Sequence, residues 1–270
     1  MAAITDLGAL AARPLFEPVA GWLHSFGGFA PPEALTLNAA LAGLAPPKSA
    51  GGASIRFVRP EAGKGGYEER IFARGEVETR ADNWHDFFNA LAWLAYPQAK
   101  RALNGRHHAA LQMQRAAGSS ARGAARDAIT QFDECGIVVA SASAALVELL
   151  RAHEWKELFW HRRAQLARDM RCLVFGHAIW DQLRAPFVGL TAKAVVLEVE
   201  GTWLARPLAQ QLADVDCRLA EIFSRPGAYA RPRDFQPLPL LGIPGVVAEN
   251  SDPSYYDDQR QFRPARSALC

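Results

Sequence analysis

The chain of 270 residues has few cysteines, few lysines and no long apolar segment. Its four cysteines, at positions 135, 172, 217 and 270, lie far apart, which excludes the short spacings of zinc ribbons and redox motifs. We therefore expect reduced, mostly buried thiols. No run of about 18 uncharged apolar residues occurs, and the N-terminus lacks the basic region of a secretory signal. These absences predict a cytoplasmic protein without a membrane span.

A strong charge of one sign is also missing. The formal net charge is only +2, which argues against a protein dominated by nucleic-acid binding. Arginine supplies most of the positive charge, since lysine occurs only at positions 48, 64, 100, 156 and 193. Arginine suits two-point contacts with phosphate or carboxylate groups. The arginine-rich segment 151–171 therefore leaves a phosphate-facing surface open as an alternative.

Several familiar catalytic motifs are absent as well. The glycine-rich segment 63–66 lacks the Ser or Thr and the following helix of a phosphate-binding loop. No nucleophile elbow surrounds a serine, and no His-Glu-x-x-His pair occurs. Nucleotide cofactors and serine hydrolysis are therefore disfavoured.

The composition, 50% hydrophobic and 21% charged, is that of an ordinary globular protein with a sizeable core. We predict one α+β domain over residues 1–270, mainly helical, with a small β-sheet or hairpin. Prolines divide residues 1–50 into short helices, including one at 32–44. Residues 51–223 form the predicted core. The proline-rich segment 224–270 is predicted to be irregular and to pack on the body through its aromatic and aliphatic residues.

Local patterns place the elements of the core. Two strands, 55–60 and 67–77, are predicted to form a hairpin around the glycine-rich turn, and an acidic turn is predicted at 133–136 before a strand. Apolar periodicity and capping residues predict the helices, and β-rich composition predicts a further strand at 193–200. The predicted helices cover 83–96, 98–116, 144–153, 155–183 with a break near Gly176, and 207–223.

The helix after the hairpin carries an unusual polar face. His85 and Asn89 lie one turn apart, so their side chains can converge on one ligand. Asp86 lies beside them and can orient a neighbour or bind from the flank. Since histidine binds metals and carries protons near neutral pH, this face predicts a partly dry site. A buried hydrogen-bond network that only fixes the helix is the structural alternative.

A second polar group lies around the predicted acidic turn. Asp127, Asp133 and Glu134 could serve a cation or act as a general base, with Arg126 and Thr130 beside them. A solvated turn, with Asp127 as a helix cap, is the alternative. A third group pairs His177 with Asp181 one turn later, either as a ligand and its orienting partner or as a core histidine with a satisfied hydrogen bond. One of His107 and His108 is predicted to enter the site.

Several dispersed sequence blocks form a recognisable pattern. The most specific block runs from Thr79-Arg80 through Asn83–Trp93 to Pro97, Lys100 and Leu103-Asn104. Further blocks follow over 126–136, at Phe175-Gly176-His177, and over 241–256. These blocks resemble the bacterial domain of unknown function 3025 family, and the resemblance covers about residues 55–265. It implies a single-domain bacterial protein in which these blocks belong together, and it implies no known activity.

We predict that the three polar groups converge in one pocket, which makes the protein a metal-assisted hydrolase acting on a small anionic substrate such as a phosphate ester. A non-catalytic binding protein for an anionic ligand or nucleic acid, or a purely structural polar core, is the alternative. The predicted ligands of a divalent cation are His85, Asp127, Asp133 and His177. The predicted general bases are Asp86 and Glu134. The predicted substrate-binding residues are Arg80, Asn89, Lys100, Asn104 and Arg126.

Overall fold

Helices carry most of the chain. A computed structural model describes residues 3–42, 45–61, 66–118 and 123–265. Together with the sheets below, these helices make the α+β, mainly helical architecture that the sequence predicts. The helices are α1 (Leu7–Ala11), α2 (Ala20–Phe26), α3 (Ala34–Leu41), α4 (Tyr67–Arg74), α5 (Trp84–Ala95), α6 (Pro97–Ala116), α7 (Ala124–Cys135), α8 (Ala144–Ala152), α9 (Arg163–Asp169), α10 (His177–Leu183), α11 (Gly201–Leu204) and α12 (Leu208–Ser224).

Two small sheets accompany the helices. The larger sheet has the strand order β4-β3-β5-β6, in which β3 pairs parallel with β5 and the outer pairs are antiparallel. Every residue of β3 is buried, so this strand lies at the centre of the core. In the smaller sheet β1 pairs parallel with β2. The strands are β1 (Arg56–Val58), β2 (Glu76–Glu78), β3 (Gly136–Ser141), β4 (Met170–Val174), β5 (Thr191–Glu198) and β6 (Gln236–Pro239).

The predicted hairpin is wrong, because α4 connects two parallel strands. Glu68 and Glu69 lie in its first turn and Arg74 in its last, where each charge favours the helix dipole. Gly75 ends the helix in the left-handed conformation, and a Cβ there would meet the backbone of Ser54 at 2.1 Å. The helix signals therefore prevail over the β-forming residues of 67–77. The predicted turn at 63–65 lies outside the described residues.

The two helices predicted next are confirmed. Asn83 caps α5 by accepting a hydrogen bond from the Asp86 amide at 2.9 Å. Pro97 starts α6, where a missing N–H costs nothing. Asp216 of α12 accepts hydrogen bonds from the Gln98 and Ala99 amides at 3.0 and 2.8 Å, which ties α12 to the start of α6.

Two further predictions need correction. The acidic turn at 133–136 is instead the last turn of α7, which runs directly into β3. The predicted helix 155–183 is interrupted by β4, because residues 170–174 pair with β3 across the sheet. A π-helical turn at Glu157–His161 and helix α9 precede the strand, and α10 follows it. The other predicted helices, at 32–44, 144–153 and 207–223, and the strand near 193–200 are present as α3, α8, α12 and β5.

The C-terminal segment packs on the body as predicted. It combines β6 with short 3₁₀ helices and buries Phe235, Leu238, Tyr256 and Phe262 in the same hydrophobic cluster as Leu7 of α1. Among the described helices, none is both long and apolar enough to cross a bilayer. The three described cysteines are unpaired, but the prediction that they are mostly buried is wrong, since Cys135 and Cys172 are half-buried and Cys217 is exposed; Cys270 lies outside the described residues.

Candidate metal centre

Side chains from five helices line a polar cavity of about 450 Å³. Helix α5 contributes the face that the sequence analysis identified, and α7 and α10 contribute residues from the other two polar groups. The predicted convergence of the three groups is therefore present in the structure. The cavity is lined by Pro60, Tyr67, Glu68, Glu78, Arg80, His85, Asp86, Asn89, His107, Thr130, Asp133, Glu134 and His177.

Two imidazoles and one carboxylate meet at one end of this cavity. The Nε2 atoms of His85 and His177 are 3.1 Å apart. Oε2 of Glu134 lies 3.7 Å from Nε2 of His85 and 3.4 Å from Nε2 of His177. His177 is buried, whereas the side chains of His85 and Glu134 are 38% and 37% exposed, so the cluster opens on one side. Three potential metal ligands thus surround one point and leave one face accessible.

The junction between α7 and β3 contacts the segment between β4 and α10, and this contact brings His177 close to Glu134. The amides of Phe175 and Gly176 both donate to the Gly136 carbonyl, at 3.0 and 2.8 Å. A Cβ on Gly176 would lie 2.3 Å from the backbone nitrogen of Gly136 and 2.4 Å from the backbone carbonyl oxygen of Glu134. Only glycine therefore fits at position 176, immediately before α10 begins with His177.

Burial sets the protonation state of His177, the innermost of the three candidate ligands. Burial lowers the pKa of His177 to about 3, against the smaller opposing effects of Asp133. His177 is therefore neutral at physiological pH, as a ligand must be. Burial also raises the pKa of Glu134, and the electrostatic effect of His85 opposes that rise. Glu134 lacks an ion pair with any lysine or arginine in the described parts of the chain.

A chain of hydrogen bonds passes behind the cluster. The buried Lys100 ammonium donates to both carboxylate oxygens of Asp133, at 2.6 and 2.9 Å, and to Oδ1 of Asn89 at 2.9 Å. Nδ2 of Asn89 donates to the Tyr67 hydroxyl oxygen at 2.8 Å. Burial alone would raise the pKa of Asp133, but Lys100 overrides burial and holds it below its usual range. Asp133 is thus the counter-ion of Lys100.

Arg80 and Asp86 form a second satisfied pair at the mouth of the cavity. Nε and Nη2 of Arg80 donate to the two carboxylate oxygens of Asp86 at 2.7 and 2.8 Å, and the Arg80 amide donates at 2.9 Å. Burial would raise the pKa of Asp86, yet these donors lower it overall. The carboxylate is therefore a weak proton acceptor, which counts against the predicted role of Asp86 as a general base.

Glu68 and His107 line the wall formed by α4 and α6. Oε1 of Glu68 lies 4.0 Å from Nε2 of His107, and Oε2 lies 3.4 Å from Nδ2 of Asn104. Burial lowers the pKa of His107, and Glu68 opposes this effect. Asn104 does not line the cavity itself, because its oxygen accepts from the Ala50 amide at 3.3 Å and its nitrogen donates to Glu68.

Three other predicted residues lie away from the cluster. Asp127 is in the first turn of α7, more than a turn before Asp133, and does not line the cavity. Arg126 donates to Gln114 at 3.3 Å and is likewise not part of the lining. Asp181 forms an ion pair with Arg184 at 2.8 Å, so it does not orient His177.

Sequence reasoning missed Tyr67 and Glu68, because it assigned their segment to a strand. The signals of helix α4 were present: paired acidic residues at 68–69, Arg74 near the end and Gly75 as a C-terminal cap. A helical reading places Tyr67 and Glu68 at an N-terminus that faces the polar groups.

A larger groove, of about 920 Å³, lies between α6 and α12 but carries different chemistry. Its lining is predominantly apolar, with Met113 and Phe223 among the large side chains. Arginines such as Arg101 and Arg106 supply its charged groups, and none of its lining residues is a histidine, a cysteine or an acid. Size therefore does not identify the reactive site here; the clustered ligand atoms of the smaller cavity do.

Comparison with known proteins gives a family and no activity. The family model described as "Protein of unknown function (DUF3025)" matches residues 55–266. The chain therefore belongs to this family, as the sequence blocks indicate. No curated protein and no solved structure matches the chain. All residues of the His85–Glu134–His177 cluster fall within the matched region.

Proposed function

We propose that this member of the DUF3025 family is a metal-dependent hydrolase that acts on a small anionic substrate. The observation that carries the proposal is the meeting of two imidazole nitrogens and one carboxylate oxygen at one open point of a polar cavity. Two histidines and a glutamate, with a fourth position left for water or substrate, form one of the ligand sets of catalytic zinc.

The distances between the ligand atoms favour a tetrahedral ion. Ligands held at bond lengths of about 2.0–2.1 Å in a tetrahedron lie about 3.3 Å apart. The separations between His85, His177 and Glu134 are 3.1, 3.4 and 3.7 Å, close to this value. Adjacent ligands of an octahedral ion with the same bond lengths lie about 2.9 Å apart. Zinc therefore fits this arrangement better than magnesium does.

The surrounding side chains divide the remaining tasks. Zinc makes a bound water acidic enough to attack near neutral pH. Glu68 faces the same cavity and forms no ion pair with lysine or arginine among the described residues. We infer that Glu68 accepts the proton, since the lining carboxylates Asp86, Asp133 and Glu78 are neutralised by Arg80, Lys100 and Arg70. We assign Glu134 as a metal ligand and Glu68 as the general base.

The charge balance is consistent with an anionic substrate bound between the metal and Arg80. Lys100 is saturated by Asp133 and Asn89, so it contributes no free donor to the cavity. Arg80 is 59% exposed and uses only Nε and Nη2 of its guanidinium for Asp86. Its Nη1 group can donate to a phosphate or carboxylate at the mouth.

Two alternative functions make different structural predictions. In a purely structural core, the contact between His85 and His177 is a direct N–H···N hydrogen bond, and no metal is taken up. In a nucleic-acid-binding protein, arginines of segment 151–171 must be free for phosphates. Arg151, Arg162 and Arg168 instead pair with nearby carboxylates. This pairing favours the enzyme hypothesis.

The unpaired thiols of Cys135, Cys172 and Cys217 are consistent with a reducing compartment, and we propose that the enzyme works in the cytoplasm.

Metal content in matched variants tests the proposal. The metal-free protein, the variant His85→Ala and the control His161→Ala are each incubated with Zn²⁺, desalted and subjected to elemental analysis. His161 is exposed and does not line the cavity. We expect about one zinc ion per chain in the wild type and the control, and a large loss in His85→Ala with little loss of folding. Equal zinc content in all three proteins would contradict the metal centre.

The hydrolase activity is then measured on the zinc-loaded protein. Zinc-dependent hydrolysis of 4-nitrophenyl phosphate, or of an anionic amide, is the expected outcome, and Glu68→Gln should lose turnover while keeping zinc. Turnover that persists after zinc removal would contradict the mechanism.

A further inference from the structure

The hydroxyl of Tyr67, a residue that lines the cavity, accepts a hydrogen bond but donates none among the described residues. Its hydroxyl oxygen accepts from Nδ2 of Asn89 at 2.8 Å. Within the described residues, no group accepts the hydrogen of the Tyr67 hydroxyl. The residue lines the same cavity as His85 and Glu134.

The orientation of Asn89 is fixed by chemistry. Lys100 carries a protonated amine, which can only donate, so the Asn89 atom 2.9 Å from it must be the amide oxygen. The other end of the Asn89 amide is then the NH₂ group, and it faces Tyr67. An NH₂ group only donates, so the Tyr67 oxygen must be the acceptor. The Tyr67 hydrogen must therefore point away from Asn89.

We propose that Tyr67 presents its O–H to the cavity as a hydrogen-bond donor for a negatively charged oxygen of the substrate bound at the metal. This inference rests on the metal-dependent function proposed above and adds a substrate-contacting residue to it. The tyrosine keeps its proton throughout and stabilises charge as it develops on that oxygen, as the donors of an oxyanion hole do.

Two features support this role. Asn89 is buried and held by Lys100, so the donor that occupies the Tyr67 oxygen is rigid. Burial and the neighbouring Glu68 raise the pKa of Tyr67 well above its usual value, which keeps the hydroxyl protonated at any physiological pH. A preorganised neutral donor therefore faces a site that collects negative charge.

Binding of Zn²⁺ and of inorganic phosphate, measured by calorimetry on the full chain, tests the proposal. Phosphate serves as a tetrahedral oxyanion probe for the zinc-loaded protein. In Tyr67→Phe we expect zinc affinity within about threefold of wild type and phosphate affinity reduced about tenfold or more, because a hydrogen bond to a charged group is lost. The control Tyr255→Phe, in the C-terminal segment, should change neither.

A second variant tests the orientation that Asn89 imposes. In Asn89→Asp the hydroxyl of Tyr67 remains, but the new carboxylate accepts its hydrogen and turns it away from the cavity. Phosphate affinity should then fall as in Tyr67→Phe, with the fold retained by circular dichroism. Full phosphate affinity in either variant, with zinc still bound, would overturn the donor role and leave the metal centre standing. A wild-type protein that binds no zinc would overturn both.

Discussion

Asp133 and Glu134 are neighbours on α7, line the same cavity and have opposite surroundings. Asp133 is fully engaged by Lys100, which holds its pKa below the usual range against the effect of burial. Glu134 has two imidazoles and no lysine or arginine partner among the described residues, and burial raises its pKa. The comparison separates a carboxylate that stabilises the fold from one left ready for a cation.

The largest expected effect is the loss of stability when the ion pair between Lys100 and Asp133 is broken. Lys100→Met removes the buried ammonium and leaves Asp133 as an uncompensated charge. We expect the free energy of unfolding to fall by about 3 kcal/mol, measured by urea denaturation. Lys156→Ala is the matched control, since it breaks an exposed pair with Asp257 and should cost less than about 1 kcal/mol. Equal losses of unfolding free energy in the two variants would contradict the stabilising role of the pair between Lys100 and Asp133.

The next effect concerns the metal. Glu134→Gln should lower zinc affinity at least about 100-fold with little change in stability, since it removes a charged ligand. Asp133→Asn, the same chemical change one residue earlier, should cost less than about tenfold in zinc affinity, because the Asp133 carboxylate bonds Lys100 and none of the proposed ligands. Calorimetric titration with Zn²⁺ measures both. A greater loss of zinc affinity in Asp133→Asn than in Glu134→Gln would show that Glu134 is not the carboxylate ligand.

The smallest effect is the pH dependence of the metal-free protein. The pKa of Asp133 is lower in the folded than in the unfolded state, so the unfolded chain binds more protons as the pH falls. The stability that Asp133 provides is therefore present above about pH 4 and is lost as the pH falls through its folded pKa. The stability difference between wild type and Asp133→Asn should shrink in that range. Parallel curves from pH 6 to the acid limit would contradict it.

Local signals predicted one wall of the site well. The Asn83 cap and the periodicity of α5 place His85 and Asn89 on a common face, and both line the cavity. The sequence blocks also indicated that Glu134 and His177 belong with this helix. The different roles of Asp133 and Glu134 could not be predicted from the sequence, because the contact that neutralises Asp133 comes from Lys100, a residue 33 positions away.

Several of the errors share a physical cause. Residues 170–174 resemble part of a helix until their pairing with β3 is known, and that pairing is a tertiary interaction. The acidic residues of α7 resemble a solvated turn until their partners on α6 and α10 are known. His85 and His177 are 92 positions apart, and no spacing rule relates them. Strand β4 was therefore missed and the capped, periodic helices α5 and α6 were found, whereas α4 was missed although its local helix signals were present.

The most direct test of the central claim is zinc-edge X-ray absorption of the zinc-loaded protein. We expect a four-coordinate ion with two imidazole nitrogens at about 2.0 Å and light-atom ligands from the carboxylate and solvent. The imidazole signal should fall by about half in a variant that loses His85 yet is forced to load at high zinc concentration. A spectrum without imidazole scattering, or a six-coordinate ion bound only by oxygen, would contradict the proposed centre.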